Sequence, residues 1–171
     1  MLSPKIQDAL NRQINAELFS SYLYLSMSAY FESKSLRGMA NWMRIQAQEE
    51  DIHAMKFYDF VNDRGGRVVL TAIEAPKTSW DSPKQVFEET YAHECHVTSL
   101  INKLVDLSRT ESDHAAETFL QWFVTEQVEE ESNAETILDK LELVGDNGVA
   151  LLMIDNELAQ RIPPAPTTPA A

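Results

Sequence analysis

Apolar residues return at helical spacing along most of this chain, which predicts long amphipathic helices. The first helix begins with Ser3 as its N-cap and Pro4 at its first position, and it extends to about Phe31. After a short connection over residues 32–35, a second helix continues to about Arg64 and stops at a pair of glycines. Two long helices joined by so short a loop are expected to lie antiparallel.

A second pair of helices follows the same plan. The third begins at Ser82-Pro83, where Gln85 completes a capping-box pattern, and continues to about Arg109. Asp113 is placed to cap a fourth helix that ends near Val144. The connection between them is again short, so we expect a second antiparallel hairpin.

The remaining segments decide how the two hairpins are joined. Residues 67–81 lack a helical period and have a strand-like start, which predicts a long extended crossover. Residues 151–158 suggest a short fifth helix, and the proline-rich residues 163–171 a flexible tail. The expected fold is therefore all-α: a four-helix bundle with one long crossover and a short C-terminal fifth helix, in one domain over residues 1–162. An α-solenoid would need short loops throughout, which the crossover contradicts.

Polar residues interrupt the apolar rows of the four long helices at mid-length. Positions seven apart lie within about 20° of one another on a helix, so a row that faces the core should be apolar throughout. Glu17 nevertheless stands between Leu10 and Tyr24, and Glu50 between Met43 and Phe57. The six residues that break such rows are Glu17, Glu50, His53, Glu94, Gln127 and Glu130.

These interruptions keep the same register in both halves of the chain. Glu17 and Glu50 are 33 residues apart, as are Glu94 and Gln127. His53 and Glu130 are 77 apart, and so are Glu17 and Glu94. We therefore interpret the two hairpins as copies related by a pseudo-twofold axis, which would bring the carboxylates together at the centre of the bundle.

Buried carboxylates are costly unless something compensates their charge, and His53 is the only cationic candidate among the six. Satisfied buried hydrogen bonds explain one such residue more readily than six, so a metal cation is the favoured interpretation. Glu50-x-x-His53 is the motif that builds di-iron sites when glutamates of other helices join it. Oxygen ligands with one imidazole suit iron or manganese.

Charge and composition point to the same class of ligand. A net charge of −13 disfavours nucleic-acid binding and favours cations, although the acidic run over residues 111–144 is equally typical of a solvated helix face. Cys95 is the only cysteine, which excludes an intramolecular disulfide and favours a reducing compartment. Because no apolar run approaches about 20 residues and the N-terminus lacks a signal-peptide pattern, we expect a cytoplasmic protein without a membrane partner.

Around these residues, from position 4 to about 160, the chain resembles the non-haem ferritins of bacteria and archaea. The resemblance is carried by Glu17, Tyr24, Glu49-Glu50-Asp51-Ile52-His53, Glu94 and Glu126-Gln127-Val128-Glu129-Glu130. It implies that Glu17, Glu50 and His53 hold one iron, that Glu50 and Glu94 bridge, and that Glu94 and Glu130 complete the second site with Gln127 nearby. It also implies a third iron site at Glu49, Glu126, Glu129 and Glu130, with Tyr24 as the tyrosine of the catalytic centre.

The same resemblance implies a function and an assembly. The chain would oxidise Fe(II) with O2 or H2O2 and store Fe(III) mineral inside a hollow homo-oligomeric shell of 24 subunits. Bacterioferritins differ in having a second Glu-x-x-His, where this chain reads Gln127-x-x-Glu130, and in a haem-binding methionine at the position of Ile52. We therefore expect no haem. Rubrerythrin-like proteins usually add a domain with paired cysteines, which one cysteine cannot build.

Two other functions remain as alternatives: a non-catalytic acidic cage subunit, and a di-iron protein that oxygenates an organic substrate or scavenges peroxide. His93, Cys95 and His96 surround Glu94 in sequence, but adjacent residues point to different faces of a helix, so we expect no separate metal cluster there. Trp122 is expected to be buried packing near the site.

Overall fold

The computed structural model describes residues 2–163, and within that range it contains five α-helices and no strand. They are α1 (Pro4–Ser33), α2 (Arg37–Asp63), α3 (Pro83–Thr110), α4 (His114–Val144) and α5 (Gly148–Leu158). The predicted all-α bundle with one crossover and a short fifth helix is confirmed. Most of the predicted tail, residues 164–171, lies outside the described residues. None of the helices in the described range is long and apolar enough to cross a membrane.

The predicted N-caps start α1, α3 and α4. Ser3 Oγ accepts a hydrogen bond from Ile6 N at 3.3 Å, and Asp113 Oδ1 accepts one from Ala116 N at 3.0 Å. At α3, Ser82 Oγ accepts from Gln85 N at 3.1 Å. The Gln85 side chain accepts from Asp81 N, one residue before the N-cap, so the capping box is a variant of the expected one.

Both hairpin turns close on a serine with positive φ. Ser35 has φ 61° and Ser112 has φ 55°, and the two are 77 residues apart, the offset that relates His53 to Glu130. In each turn the following residue donates a backbone hydrogen bond to the carbonyl five residues earlier: Leu36 to Phe31, and Asp113 to Ser108. The turns therefore repeat in the register of the polar core residues, as expected for two copies of one hairpin.

The crossover between α2 and α3 runs along α1 from its first turns towards its last. Asn11 binds the backbone of residues 67 and 69, Asn15 Nδ2 donates to Ala72 O at 3.1 Å, and Ser26 Oγ donates to Lys77 O at 2.7 Å. The expected strand-like start is not a strand, because α1 side chains rather than a neighbouring strand take up its backbone groups. The crossover carries the chain over the length of the bundle, so α3 begins beside the end of α1.

A belt of buried polar residues divides the core into two apolar clusters. One cluster lies at the end of the bundle where α5 packs, and it includes Tyr24, Phe31, Met43 and Phe87. The other includes Leu10, Phe57, Ile101 and Phe123. Between them lie the buried polar side chains Gln13, Glu17, Ser20, Gln46, Glu50, His53, Thr90, Glu94, Gln127 and Glu130. Apolar packing on both sides therefore holds this belt in place.

Helix α5 starts three residues before the predicted position, because Asn147 Oδ1 accepts from Val149 N and Ala150 N and caps it at Gly148. It packs against α2 and α4. Asp155 Oδ1 accepts from Met39 N at 2.8 Å and so caps the start of α2, whose own N-cap residue makes no side-chain hydrogen bond. A Cβ atom at Gly38 would lie 1.6 Å from Asp155 O, so this contact requires glycine.

Candidate metal centre

The six polar residues that interrupt the helix rows all lie inside the bundle. They come from all four long helices, and none is more than 4% exposed. Helical periodicity explains the position of the four glutamates, because the residues seven before and seven after each of them pack into the two apolar clusters. The structure therefore brings these predicted residues into a single central region.

One group combines Glu17 of α1 with Glu50 and His53 of α2. Each offers one potential ligand atom, and the three atoms lie within 4.8 Å of one another. His53 Nδ1 lies 3.3 Å from Glu50 Oε2, and Gln13 Nε2 donates to Glu17 Oε1 at 2.8 Å. The other oxygen, Glu17 Oε2, is buried and finds no hydrogen-bond partner among the described residues. A buried acceptor without a donor is what a cation site leaves behind, so the donor set fits a metal ion.

Glu94 and Glu130 form the other side of the centre. Tyr24 OH donates to Glu94 Oε1, and Gln127 Nε2 donates to Glu94 Oε2 at 3.1 Å. Gln46 Nε2 donates to Glu130 Oε2 at 2.6 Å. Each of these two carboxyl groups is thus held by uncharged donors, which fix its orientation and add no positive charge to the centre.

Burial raises the pKa of each of these four carboxyl groups. For Glu17 and Glu50 the rise is large, and neighbouring carboxylates add to it: Glu50 for Glu17, and Glu94 and Glu130 for Glu50. Burial and the charge of Glu94 raise the pKa of Glu130 to about 8. The metal-free centre therefore holds protons at neutral pH, and a cation that binds there displaces them.

The residues expected for a third iron are only partly assembled. Glu126 lies beside the centre, where it joins His53 and Glu130 in a second group of ligand atoms within 4.8 Å of one another. Glu49 instead forms an ion pair with Arg161. Glu129 is exposed and belongs to neither group. The structure therefore groups Glu126 with Glu130 and His53, whereas Glu49 is paired with Arg161 and Glu129 joins neither group.

The neighbours of the centre differ in part from expectation. Trp122 is 40% exposed rather than buried: Lys56 Nζ lies 4.1 Å from the centroid of its ring, and the ring makes a T-shaped contact with His53. His93 turns away from Cys95 and His96 to Ser20, with Nε2 and Oγ 2.8 Å apart. Burial, with a smaller effect of His96, lowers the pKa of His93 to about 4. His93 is therefore neutral at physiological pH.

Sequence reasoning assigned no role to Gln13, Gln46 or Arg161, although each contacts a candidate ligand. Gln13 is four residues before Glu17 and could have been found from that spacing. Gln46 stands in the same helix row as His53, which is a weaker signal. Arg161 follows α5 and has no periodic relation to α2, so no local pattern could have indicated its contact with Glu49.

Comparison with known proteins places this chain in a family. The ferritin-like domain family matches residues 7–144. A bacterial non-haem ferritin of Bacteroides fragilis is 47% identical over 161 residues, which cover 94% of this chain and all of that one. A bacterial non-haem ferritin of Staphylococcus saprophyticus is 42% identical, over 94% of this chain and 96% of that one.

Solved structures give the same result for the fold. The open-pore ferritin of the hyperthermophilic archaeon Archaeoglobus fulgidus is 54% identical and superposes with a TM-score of 0.94, over 95% of this chain and all of that one. A humanised archaeal ferritin is 52% identical, with a TM-score of 0.96 over 96% of this chain and all of that one. The family match, the two non-haem relatives and the shared bundle together establish that this chain belongs to the ferritin family of iron-storage proteins.

Proposed function

We propose that this chain oxidises Fe(II) at a di-iron centre inside each subunit and passes the Fe(III) to a stored mineral. Glu17, Glu50 and His53 bind one iron, Glu94 and Glu130 bind the other, and Glu50 and Glu94 bridge the two. Tyr24 and Gln127 orient Glu94 by hydrogen bonds. Iron is here the substrate and cargo, and each residue acts by binding or orienting it.

The observation that carries the proposal is the group of Glu17, Glu50 and His53, in which three ligand atoms lie within 4.8 Å and one carboxylate oxygen has no partner among residues 2–163. Buried carboxylates that repel one another are destabilising without a cation. When Fe(II) binds, its positive charge attracts these carboxylates and offsets their mutual repulsion. Hard oxygen ligands then stabilise Fe(III) more than Fe(II), which favours oxidation.

The electron balance requires both irons. Each Fe(II) gives up one electron, so a pair reduces O2 to H2O2 with two protons, or H2O2 to two water molecules with two protons. Burial raises the pKa of Glu17 and Glu50, which favours their protonated forms, and protons that iron displaces from them are released at the same place. Two adjacent one-electron donors therefore match a two-electron oxidant.

We also propose a third, weaker iron site outside the pair, formed by Glu49, Glu126, Glu129 and Glu130. Glu126 and Glu130 are already near His53, whereas Glu49 and Glu129 would have to turn towards the ion. This movement predicts lower affinity than at the pair. Haem is not expected as a constituent, since Ile52 offers no ligand atom.

The two alternatives fit the site less well. An acidic cage subunit without catalysis would need only surface carboxylates, and it would leave the buried Glu50 and His53 without a role. A di-iron oxygenase would need an apolar pocket beside the metal, typically about 300–1,000 Å³. A cleft among the described residues that reaches Gln127 has a volume of about 200 Å³, and its lining includes the polar side chains of Thr98, Asn102 and Glu131.

The proposal is tested with the double variant Glu50→Ala and His53→Ala. We expect it to assemble normally but to lose rapid Fe(II) oxidation, measured by stopped-flow absorbance under air. Its metal-free form should be as stable as the wild type or more so, because one repelling carboxylate is gone. If His53 were instead a structural partner of the carboxylates, removing it would cost about 3–5 kcal/mol.

Glu129→Ala is the control. It removes an exposed carboxylate that belongs only to the proposed third site. We expect a changed number of irons oxidised per subunit or a changed turnover, with the initial oxidation intact. A double variant that oxidises Fe(II) as fast as the wild type would refute the di-iron proposal.

A further inference from the structure

A cation of the protein itself already lies at the edge of the metal centre. Arg161 follows α5, and among the described residues its guanidinium forms its hydrogen bonds with α2: Nη1 donates to Gln46 Oε1 at 2.8 Å and to Trp42 O at 3.3 Å, and Nη2 pairs with Glu49. The guanidinium also lies 4.4 Å from the centroid of the Trp42 ring. The side chain is only 19% exposed. Several independent contacts thus hold one charged group in one place.

Gln46 connects Arg161 to a candidate iron ligand. Its side chain is fully buried, with Oε1 accepting from Arg161 and Nε2 donating to Glu130 Oε2 at 2.6 Å. A guanidinium has donors but no acceptor, so Arg161 fixes which end of the amide faces it. The amide nitrogen is then left pointing at Glu130. Arg161 therefore orients a donor that holds Glu130, although it does not touch Glu130 itself.

Glu49 connects Arg161 to the third site. Glu126, Glu130 and His53 offer ligand atoms close to one another, whereas Glu49, the other half-buried carboxylate of this set, is bound to Arg161. A cation that recruits Glu49 must replace the guanidinium as its partner. Until that happens, the guanidinium also repels the incoming ion.

We propose that Arg161 is a positioning residue that competes with a third metal cation for Glu49 and, through Gln46, holds Glu130. Binding of a cation outside the di-iron pair then requires Arg161 to withdraw from α2. The inference rests on the proposed function. It adds a regulating side chain to the site, delivered by the docking of α5.

The experiment is an anaerobic calorimetric titration of the assembled, metal-free protein with Zn(II), a redox-inert probe. For Arg161→Gln we expect the weakest class of ions to bind about tenfold more tightly than in the wild type, because Glu49 has lost a charged partner. Arg161→Lys keeps the charge but cannot bridge Gln46 and Glu49 with one planar group, so an intermediate effect is expected. That variant supplies the measurement if Arg161→Gln does not assemble.

Arg64→Gln is the matched control. Arg64 makes a comparable pair, with two 3.0 Å hydrogen bonds to Asp113, and lies over the Phe60 ring at 5.4 Å. It stands at the C-terminal end of α2, eleven residues beyond His53. The variant loses the same charge and the same kind of contact away from the centre, so its Zn(II) binding should equal that of the wild type.

A second control uses Glu49→Gln. Competition for Glu49 predicts that Arg161→Gln tightens the weakest ions much less in that background, where only the repulsion and the contact through Gln46 are lost. Equal Zn(II) affinity of Arg161→Gln and wild type, or equal tightening in Arg161→Gln and Arg64→Gln, would overturn the inference. Failure of the proposed function looks different: Zn(II) binding to the wild type would then not depend on Glu50 and His53 at all.

Discussion

Glu17, Glu50, Glu94 and Glu130 carry acidic groups where water cannot solvate their charge. Burial raises the pKa of each, and mutual repulsion adds to the effect for Glu17, Glu50 and Glu130. The raised pKa values favour the protonated forms of these residues, and a bound cation favours their ionised forms. Proton and metal binding are coupled at this centre.

This coupling predicts how the metal-free protein responds to pH. A carboxyl group whose pKa is higher in the folded state stabilises the fold at low pH, and that contribution is lost as pH rises through the folded pKa. With the pKa of Glu130 raised from 4.5 to about 8, the loss runs from about pH 4.5 up to about pH 8, and the interval from pH 6.5 to 8.5 covers its upper part. The lowered pKa of His93 acts below its usual value of 6.5, outside this window. We expect the thermal midpoint to be a few degrees lower at pH 8.5 than at pH 6.5.

The measurement is calorimetry or circular dichroism of protein kept metal-free with a chelator. Glu130→Gln is the comparison, since the amide has the same shape but cannot ionise. Its midpoint should vary less across the window, and saturating Zn(II) should raise the wild-type midpoint most at pH 8.5. A wild-type midpoint that rises with pH would contradict the assigned direction.

At the scale of elements, α5 packs against one end of the bundle and connects that end to the candidate metal centre. Gly38 lets the backbone of α5 approach α2, and Asp155 of α5 accepts a hydrogen bond from Met39 N at the start of α2. Arg161, which follows α5, then reaches Glu49. The N-cap of α2, Leu36, has no hydrogen-bonding side chain of its own. A short helix thus completes the start of a long one.

Gly38→Ala tests this arrangement. Its methyl group would lie 1.6 Å from Asp155 O, so α5 must shift, and both the cap on α2 and the Arg161 contacts should weaken. We expect destabilisation on the order of 1–3 kcal/mol, seen as a lower thermal midpoint.

Gly148→Ala is the control, because a Cβ atom there meets no atom of residues 2–163 within 4 Å. Alanine favours the first turn of α5, so the midpoint should stay or rise slightly. Equal midpoints for Gly38→Ala and wild type would mean that the close approach is not required.

At the scale of the whole molecule, several large apolar side chains remain exposed on the subunit. Val69, Leu70 and Ile73 of the crossover are 48%, 64% and 41% exposed, and Val149 and Met153 of α5 are 73% and 69% exposed. Such patches are typical of surfaces that bury against another chain. The ferritin relatives make copies of this chain the expected partners.

We predict a closed homo-oligomer of 24 subunits, with a native mass about 24 times that of the chain. Leu70→Glu should shift the population towards smaller species, because a charge at a buried interface loses its solvation. Sedimentation velocity and native mass spectrometry measure the native mass and the population of smaller species. A wild-type protein that sediments as a monomer at micromolar concentration would refute the assembly.

Much of this architecture was predictable from local pattern. Periodicity located four helices to within about two residues at most ends, and the 33- and 77-residue spacings identified the buried polar set. These signals are local or repeated, since residues on one helix face must recur every three or four positions to reach the core. The burial of Glu17 beside Leu10 and Tyr24 follows from that rule alone.

Other features depended on how distant elements meet. The contact of Arg161 with Glu49 joins residues 112 apart, and that of Asp155 with Met39 joins residues 116 apart, without any repeating spacing. Which Gln46 atom faces Glu130, and which Glu17 oxygen lacks a partner among residues 2–163, also required the packed side chains. The order of polar and apolar residues by itself determined the bundle and its candidate ligands. Only the tertiary structure decided which residues contact those ligands, because contacts between distant elements produce no repeating pattern in the sequence.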